Sequence, residues 1–327
     1  MIVISNNEKL TQLYSSFGDK LLQHTDVLYS IQYNKKFKPI TVQLCPTNKC
    51  DLSCSYCSVS NRIKNSEIPF DTIKQGLNDF VKLGAKSLEI SGGGNPLLYP
   101  EINKIILYAH KLGLEIGIIT NSTKPHKYLS QESIKIIKWI RVSLSAIDYH
   151  KNYDLNKIPT KKLALSYIIN DKTTYENIHD ISLISKKYDV KFVRLAADCT
   201  GDDSLFVKQK WNRFINSENN SKLFIKEIND NYHAYQHCYV GMIRPYWVPE
   251  GVFICSSHVL EALNYNEKYK LCDVKNILDF YQKANYNVSI GKLPYCIDTE
   301  KCFHCYYYNN NKILHTVVSD LPDKNFA

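Results

Sequence analysis

The stretch Cys50-Asp51-Leu52-Ser53-Cys54-Ser55-Tyr56-Cys57 constrains this chain more than any other. It places three cysteines at C-x3-C-x2-C just after an apolar run, Ile40 to Leu44. Iron–sulfur clusters are normally held by four cysteine thiolates. Three thiolates hold three irons and leave the fourth without a protein ligand. That gap is the iron counterpart of the open position that separates catalytic zinc sites from closed structural ones. The competing readings of the spacing are a zinc site completed by a distant histidine and three buried thiols. Cysteine usage favours metal over disulfides. The chain has 11 cysteines, an odd number, grouped in clusters. Met1 to Lys9 does not read as a secretory signal, so a reducing, cytoplasmic setting is expected.

A second signal follows at Ser91-Gly92-Gly93-Gly94-Asn95-Pro96, at the end of a strand-like run. Three glycines alone mark little more than a turn. Together with the cysteines they resemble the CxxxCxxC and GGE motifs of the radical S-adenosylmethionine (radical SAM) superfamily. Thr47 to Cys57 follows the family's usual loop closely, with Asp51 in the common Asn position. The resemblance implies that Cys50, Cys54 and Cys57 bind a [4Fe-4S] cluster whose open iron takes the amino and carboxylate groups of SAM. It puts Tyr56 beside the adenine, and Gly92, Gly93, Gly94 and Asn95 at the methionine end. Asn95 departs from the pattern, where Glu is usual; Asn keeps a carbonyl acceptor and loses the charge.

The chain then alternates strand and helix. Expected strands are Ile40–Leu44, Lys86–Ser91, Leu114–Thr120, Ile140–Ala146, Leu163–Asn170 and Lys191–Ala197. Between them, Phe70, Ile73, Leu77, Phe80 and Val81 recur at helical spacing before Gly84, a C-cap residue. Ile102, Ile105, Ile106 and Ala109 give the next helix its apolar face. Ser130 caps a third, and Thr174 to Tyr188 reads as a fourth. The connection from Asp148 to Thr160 is short for a full helix. Alternating strands and helices imply parallel strands with right-handed crossovers. The expected fold class is α/β: by resemblance, a partial (β/α)6 radical SAM barrel followed by a small twitch/SPASM-like α+β cluster-binding domain. The expected divisions are a leading segment (1–39), the barrel (40–205), a helical linker (206–237) with helices around Trp211 and Leu223, and the auxiliary domain (238–327).

Strand alternation selects residues for the barrel interior. Ile140, Val142, Leu144 and Ala146 share one face and belong under helices; Arg141, Ser143 and Ser145 share the other. The same logic pairs Ser166 with Asn170, Arg194 with Asp198, and Glu89 with Ser91. A polar lumen suits a ribose, a methionine carboxylate and a polar substrate, which makes Ser143, Ser145 and Asn170 cofactor-binding candidates. Arg194 and Asp198 are catalytic candidates or a structural ion pair. Cys199, after strand six, is a candidate hydrogen-atom donor or a bystander.

A second cysteine set lies downstream. Cys238 and Cys255 flank an expected hairpin, Tyr246–Val248 and Val252–Ile254, turning at Pro249-Glu250-Gly251. Cys302 and Cys305 form a C-x2-C pair. Four thiolates suit zinc or an iron–sulfur cluster equally. The set resembles the twitch half-domain of radical SAM enzymes, which implies one auxiliary [4Fe-4S] cluster on Cys238, Cys255, Cys302 and Cys305. Cys272 and Cys296 are surplus, which leaves open two clusters or Cys296 as a ligand.

The resemblance implies an enzyme that cleaves SAM reductively and takes hydrogen from an unactivated carbon. The expected substrate is a peptide or natural-product intermediate, with oxidation, cross-linking or epimerisation as the outcome. A sugar or aminocyclitol dehydrogenase or epimerase is the alternative. A reducing partner such as flavodoxin or ferredoxin is implied. The formal charge of +9 permits an RNA substrate. The basic residues are scattered, however, and read as a solvated surface. No run is long enough to span a membrane. A cluster protein that no longer cleaves SAM is the non-enzymatic reading, and Asn95 is its one hint.

Overall fold

The computed structural model describes residues 6–14, 18–149, 152–198, 204–226, 237–256, 267–295, 305 and 307–319. Three short helices lead: α1 (Asn6–Tyr14), α2 (Gly18–Leu21) and α3 (Thr25–Asn34). The alternating part runs β1 (Thr41–Leu44), α4 (Phe70–Leu83), β2 (Ser87–Ile90), α5 (Ile102–Lys111), β3 (Glu115–Thr120), α6 (Gln131–Ile136) and β4 (Trp139–Ser143). It continues with β5 (Leu163–Ile169), α7 (Tyr175–Lys187), β6 (Val193–Ala197), α8 (Ser204–Ser217) and β7 (Leu223–Ile225). Then come α9 (Val240–Ile243), the hairpin β8 (Tyr246–Val248) and β9 (Gly251–Phe253), β10 (Lys270–Cys272), α10 (Ile277–Ser289) and α11 (Tyr308–Val318).

Among the described residues these strands form one open sheet in the order β10-β9-β8-β1-β2-β3-β4-β5-β6-β7. Strands β1 to β7 are parallel throughout. Local chemistry places the helix ends. Gly84 takes a φ of 106° and donates to the carbonyls of Phe80 and Val81, closing α4. The Ser130 hydroxyl accepts from Ser133 N–H, and Thr174 forms a capping box with Asn177 at the start of α7. Alternation does what the pattern requires of it. Ile140 and Val142 are fully buried on the helix side, while Arg141 and Ser143 are half-buried on the inner side.

Three elements differ from expectation. Strand four stops at Ser143, and Leu144–Tyr149 winds into a 3-10 turn. Ser145 therefore reaches the lumen from a turn, not from the strand. Leu223, Phe224 and Ile225, expected in a second helix, form β7 and pair with β6. A short apolar run has no period of its own, and the open edge of β6 decides it as strand. The hairpin forms as expected but continues the same sheet, with Gln43 opposite Tyr246 in a parallel pair. No α-helix lies between β4 and β5 among the described residues, as the short connection implied. The lower end of the barrel is plugged by α1. Tyr14 stacks on Phe192 at 4.1 Å, and Leu10 packs with it on Ala164, Phe192 and Phe224.

Candidate active site

The loop after β1 and the glycine turn after β2 are stitched together by backbone. Gly94 N–H donates to the Thr47 carbonyl at 3.1 Å, and Asn95 N–H to the Lys49 carbonyl at 2.7 Å. The contact leaves no room for a side chain: a Cβ on Gly94 would lie 1.9 Å from the Lys49 carbonyl oxygen. Cys50, Cys54, Cys57, Gly92, Gly93 and Gly94 consequently share the wall of one pocket of about 270 Å³. Tyr56, Ser143, Ser145 and Asp198 line it too. The Ser143 and Ser145 hydroxyls are hydrogen-bonded to each other at 2.8 Å.

The cysteines suit a cluster. All three are free thiols. Among the described residues no three His, Cys, Asp or Glu side chains are gathered to hold a single metal ion. Cys50, Cys54 and Cys57 line the wall of one pocket, and cysteine thiolates are the ligands of iron–sulfur clusters. Burial raises the Cys54 thiol above its ordinary pKa; hydrogen bonds with Tyr56 and Tyr149 oppose this, and the charges of Cys57 and Cys50 add to it. A bound metal would offset that burial cost, since the thiolate is the form that binds it.

Several groups here have no signal in the sequence pattern. Arg62 donates from Nη1 to Cys57 Sγ at 3.5 Å and from Nε to the Asn48 carbonyl at 2.8 Å. Asn121 donates from Nδ2 to Cys50 Sγ at 3.6 Å. Asp148 accepts from Tyr56 Oη at 3.4 Å, Tyr167 Oη at 2.7 Å and Asn170 Nδ2 at 3.2 Å. The sole hint of the last was its place directly after strand four, where such barrels build their sites.

The remaining candidates separate. Asn95 is buried at 1% exposure and does not line the pocket. Its Oδ1 accepts from Thr120 Oγ1 at 2.8 Å and Leu97 N–H at 3.2 Å, so it braces the glycine turn from behind. Asn170 also lies outside the pocket wall and holds Asp148 in place. Asp198 lines the pocket, whereas Arg194 lies lower in the lumen, in register with Ser166. Cys199 lies outside the described residues. Cys45 is buried, its thiol is pushed up to about 12 chiefly by desolvation, and it donates to Tyr246 Oη at 3.2 Å. It is inert packing.

Of the second set, Cys302 lies outside the described residues, as does Cys296. Cys238 and Cys255 are buried. Both act on the buried Tyr295 hydroxyl, whose pKa burial raises first and their charges raise further. Cys305 is half-buried and accepts from Tyr307 N–H at 3.4 Å. Asn311, fully buried on α11, accepts from Tyr239 N–H at 2.7 Å and donates to the His237 carbonyl at 2.9 Å, clamping Cys238 from both sides.

Residues 44–191 match the family model described as the radical SAM superfamily. The chain carries a radical SAM domain. Curated relatives of this domain include S-adenosylmethionine-dependent nucleotide dehydratases. The one from Lacinutrix mariniflava is 25% identical over 123 residues, 36% of this chain and 26% of that protein. The one from Flammeovirga pacifica is 21% identical over 248 residues, 65% of this chain and 84% of that protein. The chain thus spans about a quarter of the first relative and most of the second. Among solved structures, Streptococcus suis SuiB bound to precursor peptide SuiA aligns with a TM-score of 0.54 at 14% identity, over 86% of this chain and 80% of that one. This last likeness concerns the radical SAM fold alone.

Proposed function

We propose that this chain is a radical SAM enzyme acting on a polar organic substrate held in the lumen of its barrel. One observation carries the reading: Cys50, Cys54 and Cys57 line a single pocket with Gly92, Gly93 and Gly94. Cys50, Cys54 and Cys57 would hold a [4Fe-4S] cluster, and the chemistry it would supply is reductive cleavage of S-adenosylmethionine. Around it, this chain's residues orient and exclude. Arg62 offsets the charge of the Cys57 thiolate. The bare backbone of the glycine turn lets the methionine end approach, and the Ser143–Ser145 pair offers hydroxyls to its carboxylate or to the ribose. Tyr56, which lines the pocket and donates to Asp148, is the residue we assign to the adenine. Leu52, Ile119 and Ile168 give the pocket apolar wall, which would limit water there.

The substrate is a peptide or a small natural-product intermediate, with hydrogen abstraction leading to oxidation, cross-linking or epimerisation. The precursor peptide in the name of the SuiB structure favours the first, and the nucleotide in the names of the curated relatives favours the second. We place an auxiliary [4Fe-4S] cluster on Cys238, Cys255, Cys302 and Cys305 in the segment 238–327. Burial of Cys238 and Cys255 beside Tyr295 supports this. A flavodoxin or ferredoxin is the expected electron donor, and the cytoplasm the expected location. Among the described residues no helix is long and apolar enough to cross a membrane.

The test is anaerobic. Iron-loaded, dithionite-reduced protein given SAM should form 5′-deoxyadenosine, read by mass spectrometry. The variant with Cys50, Cys54 and Cys57 all replaced by Ala should form none. Undiminished cleavage by that variant rejects the reading.

A further inference from the structure

Below the cofactor pocket the lumen opens into a second cavity of about 420 Å³. Glu89 of β2, Gly117 of β3 and Arg141 of β4 are among the residues that line it. Two positions on, Ser91 directly after β2, Ile119 of β3 and Ser143 of β4 line the upper pocket. Residues two apart share a face and stand ~7 Å apart along the strand. The two spaces are therefore stacked storeys of one lumen.

The lower wall is out of electrical balance. It carries six cations, Lys20, Lys138, Arg141, Lys162, Lys191 and Arg244, against two carboxylates, Glu89 and Glu115. Both carboxylates are already matched, Glu89 by Arg244 Nη2 at 2.9 Å and Glu115 by Lys138 Nζ at 3.0 Å. Lys162 donates to the Ile134 and Lys135 carbonyls at the end of α6. Arg141 stands inside, half-buried, with its guanidinium 5.8 Å from the Trp139 ring. Its Nε is buried and has no hydrogen-bond partner among the described residues. Burial first, then the positive field of Arg194, pushes this guanidinium down to about 9. Glu89 opposes this but is already ion-paired with Arg244, so Arg141 shares one carboxylate and is only partly compensated, and an incompletely compensated buried charge is costly. A fold that keeps one in a cavity wall is built to meet an anion.

We propose that the lower cavity binds the phosphate chain of a phosphorylated small molecule, with Arg141 as its recognition residue. The charge selects phosphate over carboxylate. A single carboxylate carries one negative charge and leaves most of the surplus unmatched; a phosphate monoester carries about −1.5 to −2 at pH 7, and a di- or triphosphate more. A guanidinium fork also fits phosphate oxygens in pairs. The volume lies in the range of small-molecule sites and is too small for a folded RNA. Anchored there, the molecule presents carbons one strand repeat higher, at the floor of the upper pocket. The proposal rests on the reading of that upper pocket as the SAM site and supplies its substrate class.

The test reads binding without SAM. Iron-loaded full-length protein is titrated calorimetrically with inorganic tripolyphosphate, and with acetate at matched ionic strength. Tripolyphosphate should bind one per chain and raise Tm, as a ligand of the folded state does; acetate should do neither. Arg141→Gln should weaken tripolyphosphate on the order of tenfold, since charge-assisted fork contacts are lost. Its ligand-free Tm should change little, because Glu89 keeps Arg244 as its partner while a buried, only partly compensated charge is gone. Arg141→Lys should bind with intermediate strength, and Lys104→Gln, on the outer face of α5, should bind like wild type. Equal binding of acetate, no binding of tripolyphosphate, or an unchanged affinity in Arg141→Gln overturns the proposal. Protein that cleaves SAM without binding tripolyphosphate refutes this inference alone. Protein that binds it but never cleaves SAM refutes the enzymatic reading alone.

Discussion

Glu89 shows how one side chain ties the lumen together. Burial raises its carboxyl, but the charges of Arg244 and Arg141 outweigh that and hold it below the ordinary value of 4.5. A depressed carboxyl adds stability that is complete above about pH 4.5 and is lost as pH falls through the lower folded value. Breaking a buried pair of this kind costs about 3–5 kcal/mol. Glu89→Gln should therefore lose roughly that much at pH 7 in urea unfolding, and the gap to wild type should shrink below pH 4.5. A gap that stays constant down to pH 3 contradicts the ion pair. Gly94 makes the same point with backbone. Because a Cβ there would meet the Lys49 carbonyl at 1.9 Å, Gly94→Ala must part the glycine turn from the cysteine loop. Such a shift of ~1 Å in a site costs about 100-fold in rate, so 5′-deoxyadenosine formation should fall by roughly that factor while iron content holds.

At the scale of elements, the sheet is fastened to its surroundings at two places outside the motifs. Helix α4 meets the hairpin through Gly76. A Cβ there would lie 2.4 Å from Cη2 of Trp247, a ring with no exposure and no space to retreat. Gly76→Ala gains up to about 1 kcal/mol of helix propensity and loses about 1–3 kcal/mol to overpacking. A net fall in stability is expected in denaturant unfolding, and a rise would show that α4 has slack. Helix α11 is fastened through Asn311. Replacing it with Leu strands the Tyr239 N–H and the His237 carbonyl, at about 1–3 kcal/mol each. If Cys238 holds a cluster, Asn311→Leu should also lower iron at the second set while SAM cleavage at the first cysteine set persists.

For the whole molecule, iron content is the decisive count. Two four-iron clusters require about eight irons per chain, and the triple alanine variant of the first set should keep about four. One cluster's iron with a full complement of zinc refutes the auxiliary cluster; about twelve irons argues for two auxiliary clusters. The grouping of Cys50, Cys54, Cys57 and the glycines around one pocket was legible in the chain itself, because it follows from spacing that a loop preserves. The parallel strands were legible too, since alternation at Ile140, Arg141, Val142 and Ser143 is a local pattern. Arg62, Asn121 and Asp148 were not legible: each meets its partner across a loop or a neighbouring strand, and no period announces such a meeting. That Asn95 and Asn170 lie off the pocket wall was not legible for the same reason. Their position along the chain was right, but the direction of the side chain depends on what lies behind it, Thr120 in one case and Asp148 in the other. Leu223 to Ile225 became a strand because β6 offered an open edge. Local order in the chain thus determined which residues form strands, caps and the metal-binding loop, for these depend on neighbours in sequence. Only the tertiary structure decided that cations from α2, β4 and the segment before β8 converge on one cavity, because electrostatic balance is a property of residues brought together from far apart.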